Sequence, residues 1–243
     1  MKIIPLKEGN FSTSKKKDFT ELTEENFDQL KGIKMSVQPF LIITENDYIL
    51  LDAGIGWKND DGQFILLQTL EQENINPNQI SKVLLSHLHK DHIEGIIKQT
   101  DDGFVSNFPN AEIYIQQREL DFARENIGNH SFDFDTLEKI VQLPNIIWMN
   151  EDKGHINGEV SYQVVGGHTP FMQVFWIREN GETAFYGADN LPQESYLKYH
   201  VAYKSDYDGR KAMELRQLWQ DQAEKEHWKV MLYHDLEKTV IQF

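Results

Sequence analysis

The chain has no cysteine among its 243 residues. It can therefore form no disulfide, offer no thiolate to a metal and use no thiol nucleophile. It also lacks any apolar run approaching the roughly 18 residues of a membrane span, and its mean hydropathy is −0.56. Ile3-Ile4-Pro5-Leu6 is too short for the core of a signal peptide, so a cytoplasmic location is expected. Positive charge is scarce: 24 Lys and Arg against 39 Asp and Glu leave a formal net charge of −15. Such a surplus repels polyanions, which argues against nucleic acid and anionic membrane as partners and for a small-molecule substrate. Lys15-Lys16-Lys17 is the only basic run, and isolated runs are usually solvated. The seven prolines are scattered rather than gathered into a linker, and no repeat or low-complexity stretch interrupts the chain. A single domain over residues 1–243 is the simplest reading.

Hydrophobic residues make up 40% of the chain, enough for a substantial core. Residues 10–31 are polar and without clear period, and read as a long loop with one helical turn that could line or close a pocket. From Ser36 onward β-rich runs appear. Phe40-Leu41-Ile42-Ile43 and Tyr48-Ile49-Leu50-Leu51 flank the polar turn Glu45-Asn46-Asp47, which predicts a hairpin. Helical spacing over 64–70 precedes a short buried strand, Val83-Leu84-Leu85. Further strands are expected over 111–115, 146–149, 160–165, 173–178, 183–186 and 229–233. Helices are expected over 116–124 and 211–225, the latter amphipathic and carrying Met213, Leu215, Leu218 and Trp219. Strand-rich halves, each followed by helices, predict an α+β fold with sheets sandwiched between helical layers.

The most informative segment is Ser86-His87-Leu88-His89-Lys90-Asp91-His92, which places four metal-competent side chains within six residues directly after a predicted buried strand. In an extended exit from a strand, residues i and i+2 point to one side, so His87 and His89 can grip one cation. A helix beginning near Asp91 turns the Asp91 and His92 side chains elsewhere, toward a second cation nearby. Three more candidates lie where strands meet loops. His168 sits in Gly166-Gly167-His168-Thr169-Pro170, where two glycines permit unusual backbone angles and close approach to an ion. Asp189 ends the apolar run Phe185-Tyr186-Gly187-Ala188 and could bridge two cations through its two oxygens. His234 ends Val230-Met231-Leu232-Tyr233. Asp52, at the end of Leu50-Leu51, is suited to hydrogen-bond a ligand histidine from outside and fix its tautomer. His130, His155 and His227 fall outside the pattern.

The order Asp52, His87-x-His89-x-Asp91-His92, His168, Asp189, His234 resembles the motifs of the metallo-β-lactamase superfamily, in the dinuclear hydrolase branch that includes lactonases and glyoxalase II-like thioesterases. The resemblance covers roughly residues 34–243. It implies a four-layer αββα sandwich, with His87, His89 and His168 on one metal, Asp91, His92 and His234 on the other, and Asp189 bridging. Three departures stand out. Glu94 occupies a position where many members have glycine, and Phe171-Met172 follows His168-Thr169-Pro170 where the hydrolytic branch often has Gly-His. Asn190-Leu191-Pro192 follows Asp189 where the resembling lactonases place a tyrosine.

Two divalent cations, zinc first with manganese or iron as alternatives, would provide a bridging hydroxide for cleaving an ester-type bond: a lactone, thioester or carboxyl ester. Asp91 would orient that hydroxide and Asp189 hold the pair together, while Tyr196, Tyr199, His200 and Tyr203 wall the pocket. The competing readings on the same fold are a phosphodiester or phosphotriester hydrolase and an iron-dependent thiol or persulfide oxygenase.

Overall fold

In the computed structural model, which describes residues 1–243, the apolar β-rich runs pair into two six-stranded sheets. The first has the spatial order β1 (Lys2–Pro5), β5 (Phe40–Ile43), β6 (Tyr48–Leu51), β7 (Lys82–Leu84), β10 (Glu112–Gln116) and β11 (Ile146–Met149). β1, β5 and β6 pair antiparallel, and β6, β7, β10 and β11 pair parallel. The second runs β12 (Lys153–His155), β13 (Val160–Val164), β14 (Gln173–Glu179), β15 (Glu182–Tyr186), β16 (Lys229–Met231) and β17 (Val240–Gln242), antiparallel except for the β15–β16 pair. A small sheet of β2 (Gly9–Thr13), β3 (Phe19–Glu21) and β4 (Ile33–Val37), and a hairpin of β8 (Ile97–Thr100) and β9 (Gly103–Ser106), complete the strands.

Strand alternation divides the first sheet between two cores. Phe40, Ile42, Ile49, Leu51 and Leu84 face the second sheet and pack in one cluster with Val174, Tyr186 and Val230. Leu41, Leu50, Val83, Ile113 and Ile115 face the other way, onto a cluster that includes Leu66 and Leu70 of α1 (Ile65–Gln72), Leu120 of α3 (Gln117–Glu125) and Leu137 of α4 (Phe134–Ile140). The outer face of the second sheet is covered by α6 (Gly209–Glu226), whose Trp219 lies 5.0 Å from the Phe185 ring. The layers are helix, sheet, sheet, helix. Two short helices, α2 (Lys90–Ile93) and α5 (Ser195–Lys198), sit in connections beside the strand ends.

Two expectations need correction. Residues 10–31 are not one long loop: Gly9–Thr13 and Phe19–Glu21 are strands, and only the stretch after them is made of turns. Their pattern hid this because one apolar side chain does most of the burying. Phe11 is fully buried and packs edge-on against Phe19 (6.0 Å) and Trp57 (5.0 Å). In α6 the buried face is Ala212, Arg216, Trp219 and Ala223, while Leu218 is 51% exposed. Arg216 takes a core position because both terminal nitrogens of its guanidinium find acceptors there, although Nε does not. It donates to the carbonyls of Asn190 (2.9 Å) and Val201 (2.6 Å), and the guanidinium lies 5.1 Å from the Tyr196 ring.

Phe40 is fully buried between the sheets, edge-on to Tyr186 at 6.2 Å. Truncation there leaves a void that neither sheet can close, so Phe40→Ala should cost about 3–5 kcal/mol of unfolding free energy. Denaturant unfolding checks this; a cost under about 1 kcal/mol would mean the sheets are free to collapse together.

Candidate metal centre

The sites singled out in the sequence converge at one end of the two sheets, because each follows a strand of the sandwich. Asp52 follows β6, His87 and His89 follow β7, His168 follows β13, Asp189 follows β15 and His234 follows β16. His89 is the residue before α2, whose first turn carries Asp91 and His92. The chain thus changes from extended to helical between the two halves of the histidine run, and the two pairs of side chains diverge.

The side chains form two groups of potential ligand atoms, each within 4.8 Å of one another: His87, His89, His168 and Asp189, then Asp91, His92 and His234. Asp189 faces both. One of its oxygens lies 3.3 Å from His92 Nε2 and 3.1 Å from His234 Nε2; the other lies 3.4 Å from His168 Nε2 and 4.0 Å from His87 Nε2. His234 Nε2 is 3.6 Å from Asp91, and His168 Nε2 is 3.1 Å from His89 Nδ1.

Outward-facing nitrogens are all accounted for on four of the five rings. His92 Nδ1 contacts Asp52 at 2.7 Å, His168 Nδ1 contacts Asp206 at 2.9 Å and His234 Nδ1 contacts the Ser36 carbonyl at 2.6 Å. His87 Nδ1 lies 3.0 Å from the Ser86 hydroxyl, whose own proton goes to Asp52 at 2.6 Å. Such partners hold the proton on Nδ1 and leave the Nε2 lone pair pointing inward. There Nε2 of His87, His92 and His234, together with one Asp189 oxygen, are buried and make no hydrogen bond. Buried polar atoms are rarely left so, and their convergence in tetrahedral-type donor sets of imidazole and carboxylate suits divalent zinc, manganese or iron.

Electrostatics divide the rings differently. Burial, then the neighbouring histidines, push His87 and His89 well below their ordinary value, so both rings are neutral and able to donate a lone pair. Burial also opposes charge on His92 and His168, but carboxylates outweigh it: Asp189 with Asp52 at His92, Asp189 with Asp206 at His168, and both rings are raised. Burial works against the Asp189 carboxylate too, yet His234, His92 and His168 hold it well below the usual carboxylate range.

Several residues that build the site carried no signal of their own in the sequence. Asn190 accepts from the His168 backbone N–H (2.8 Å) and donates to the Gly166 carbonyl (2.7 Å), tying the loop of Asp189 to the loop of His168. Gly167, at φ +103°, is needed for this contact, since a Cβ there would come within 2.5 Å of the Asn190 side chain. The close approach is to Asn190 rather than to an ion. Buried Glu119 of α3 accepts from the Phe171 N–H on the other side of the same loop (3.2 Å), and burial raises it to about 7. Tyr233 stacks on His92 at 4.2 Å and donates its hydroxyl proton to the Asp91 carbonyl (2.7 Å). Asp206 and Asn190 are ordinary loop residues by type, and only their contacts distinguish them.

The aromatic segment after Asp189 divides. Tyr196 is half-buried and stacked on Tyr203 at 4.5 Å, and burial first, then Tyr203 and the more distant carboxylates, raise it. Tyr199 is 64% exposed and His200 is exposed, so neither joins the cluster. His130, His155 and His227 are exposed as well. The cleft that opens onto the ligand cluster is lined instead by Phe19, Met35, Lys17 and Ser131 beside His89 and Asp189. No helix is long and apolar enough to cross a membrane.

Solved structures share this architecture. A probable metal-dependent hydrolase from Staphylococcus aureus matches with a TM-score of 0.77 at 19% identity, covering 99% of this chain and 91% of its own. AidC, a dizinc quorum-quenching lactonase solved with a product, N-hexanoyl-L-homoserine, matches with a TM-score of 0.74 at 21% identity, covering 98% and 88%. The hydrolase AbOPH of the β-lactamase superfamily matches with a TM-score of 0.76 at 24% identity, covering 99% and 89%. At these identities the likeness is one of fold. Comparison with curated protein sequences gives no significant match. The sequence profile of the metallo-β-lactamase superfamily, however, matches residues 34–232, most of the chain and all of the segment from Asp52 through Asp189, and the chain belongs to that superfamily.

Proposed function

We propose that the protein is a dinuclear metallohydrolase that cleaves an ester-type bond, a lactone, thioester or carboxyl ester, in a small molecule. The observation that carries this reading is the convergence on Asp189 of buried, unpaired Nε2 atoms, those of His92 and His234 on the oxygen that itself lacks a partner and that of His87 on the other. His87, His89 and His168 would hold one cation and Asp91, His92 and His234 the other, with one Asp189 oxygen facing each group. When bound, two divalent cations supply Lewis acidity, lowering the pKa of water between them and polarising the oxygen of the bond to be cleaved.

The chain's own groups do the rest. Asp52 keeps the His92 proton on Nδ1, and Asp206 does the same for His168, so that both rings present a lone pair inward. Asp91, next to His234 and lining the cleft, is placed to accept a proton from attacking water and to orient it. Support for a lactone or related ester comes from the fold shared with AidC, whose crystallised product is a ring-opened acyl homoserine. Seven ligands on two cations leave positions open for water and substrate, as a catalytic rather than a structural site requires.

Protein purified without added metal or chelator should contain close to two metal ions per chain by elemental mass spectrometry, and it should hydrolyse members of a lactone, thioester and carboxyl ester panel. His89→Ala should abolish turnover while leaving the far-ultraviolet dichroism near native; unchanged turnover would sink the assignment. Asp52→Asn removes the acceptor that orients His92 and should weaken metal affinity by about 10–100-fold, read by competition with a chromophoric chelator. Because His92 and His168 are raised above 6.5 in the metal-free protein, metal must displace protons from them, so zinc affinity should rise with pH through that range. Calorimetric titration in two buffers of different ionisation enthalpy measures the proton release directly, and identical heats in both would contradict it.

A further inference from the structure

The lysine run 15–17 lies at the tip of the β2–β3 hairpin, and the hairpin folds over the mouth of the metal-ligand cluster. Ser14 closes the turn. Its backbone N–H donates to the Asp18 carbonyl (3.1 Å), its carbonyl accepts from Lys17 N–H (3.0 Å), and its hydroxyl accepts from Lys16 N–H (3.1 Å). Lys17 itself adopts the left-handed conformation, φ 59°, at the place in such a turn that favours glycine. A lysine held there at a steric cost calls for a reason, since strained positions gather at functional sites.

Its position supplies one. Lys17 and Lys16 part company across the turn: Lys15 and Lys16 are exposed, whereas Lys17 is half-buried and lines the cleft with Phe19, Met35, His89 and Asp189. The free space within the cleft is about 20 Å³, room for little more than one water, so only a small group can enter it beside Lys17. Lys17 forms no ion pair, and neither does Lys90, which lines the same cleft and lies 5.7 Å from the Phe19 ring. In a chain of net charge −15, two unpaired ammonium groups at the mouth of one site are an exception to the surrounding field. Glu94 and Asp133 lie beside Lys90, whereas Asp91 and Asp189, which line the cleft with Lys17, are ligands in the reading above and would be neutralised by the cations they hold.

We propose that Lys17 is a specificity-determining residue, and that the substrate carries a small oxyanion, a carboxylate or a phosphate, close to the bond that is cleaved. This rests on the metallohydrolase reading for the bond but not for the anion. Lys17 contributes a charge-assisted hydrogen bond to the oxyanion, and the αL turn keeps the ammonium facing the cleft. A carboxylate and a phosphate meet the same point charge, so the side chain does not choose between them.

The test compares wild-type, zinc-loaded protein with Lys17→Gly, Lys17→Arg and Lys15→Gly. Glycine relieves the left-handed strain, so Lys17→Gly should keep the wild-type melting temperature or exceed it. Calorimetric titration with glutarate and, separately, with inorganic phosphate should show affinity about tenfold weaker in Lys17→Gly, the size of one lost charge-assisted hydrogen bond. Lys17→Arg should retain most of it and Lys15→Gly all of it, and the anion that loses more identifies the group recognised. Turnover of 4-nitrophenyl hydrogen succinate relative to neutral 4-nitrophenyl butyrate should fall in Lys17→Gly through KM. Equal anion affinities in wild type and Lys17→Gly would overturn the proposal, as would a loss of binding accompanied by a lower melting temperature or lower zinc content. If loaded wild type hydrolyses neither ester, the ester-hydrolase reading fails, and the anion titrations still decide the role of Lys17.

Discussion

A single buried carboxylate joins the two sheets to the ligand cluster. Asp52 is fully buried and held at φ 56°, in the left-handed region that a residue with a Cβ enters at a steric cost. It accepts from Ser86 N–H (2.7 Å), Ser86 hydroxyl (2.6 Å) and Tyr186 hydroxyl (2.6 Å), and lies 2.7 Å from His92 Nδ1. Those partners come from the loop after β7, from α2 and from β15 of the opposite sheet. A buried anion is tolerated only when its lone pairs are met, so the register of both sheets, the exit of the histidine run and the orientation of His92 must all be satisfied together. The strain at Asp52 is sustained by that set of contacts.

The ligand loops are then held to one another rather than to the core alone. Asn190 couples the Asp189 turn to the His168 loop, Arg216 reaches from the last long helix to the Asn190 carbonyl, and the backbone N–H groups of Tyr207 and Asp208 donate to the carbonyls of His168 and Gly167. Ala188 beside Asp189 is also left-handed, at φ 44°. Polar contacts in a low-dielectric setting fix geometry strongly when complete. Here they fix the spacing of the ligand-bearing loops. The region 199–208 therefore acts more through its backbone and Asp206 than through the exposed Tyr199 and His200.

Much of the fold was legible because burial leaves a period. The strands expected over 146–149, 160–165 and 183–186 showed themselves as apolar, β-branched or aromatic runs, and the structure places them within a residue of those bounds. The histidine run was legible for a different reason: its donors are adjacent in the chain, so spacing alone states that they meet. Elements with little burial of their own were not legible. β2 is stabilised by pairing with β4 and β3 by pairing with β2, and both by Phe11, which packs against Phe19 and against Trp57, the latter a contact across 46 residues. Arg216 could not be read as a core residue because charge and helical period point opposite ways until its carbonyl partners are in place.

What the amino-acid sequence determined by itself is the set of chemical types and their local spacing: imidazoles and carboxylates at strand ends, no thiol, and a single basic run in an acidic chain. Tertiary structure decided which atoms face inward. It put the Nδ1 atoms of His92, His168 and His234 on Asp52, Asp206 and the Ser36 carbonyl, and it set Lys17 over the cleft instead of in solvent. The physical reason is the same in each case. The orientation of an imidazole or an ammonium depends on acceptors and surfaces tens to hundreds of residues away, and those become neighbours only when the sheets pair and stack.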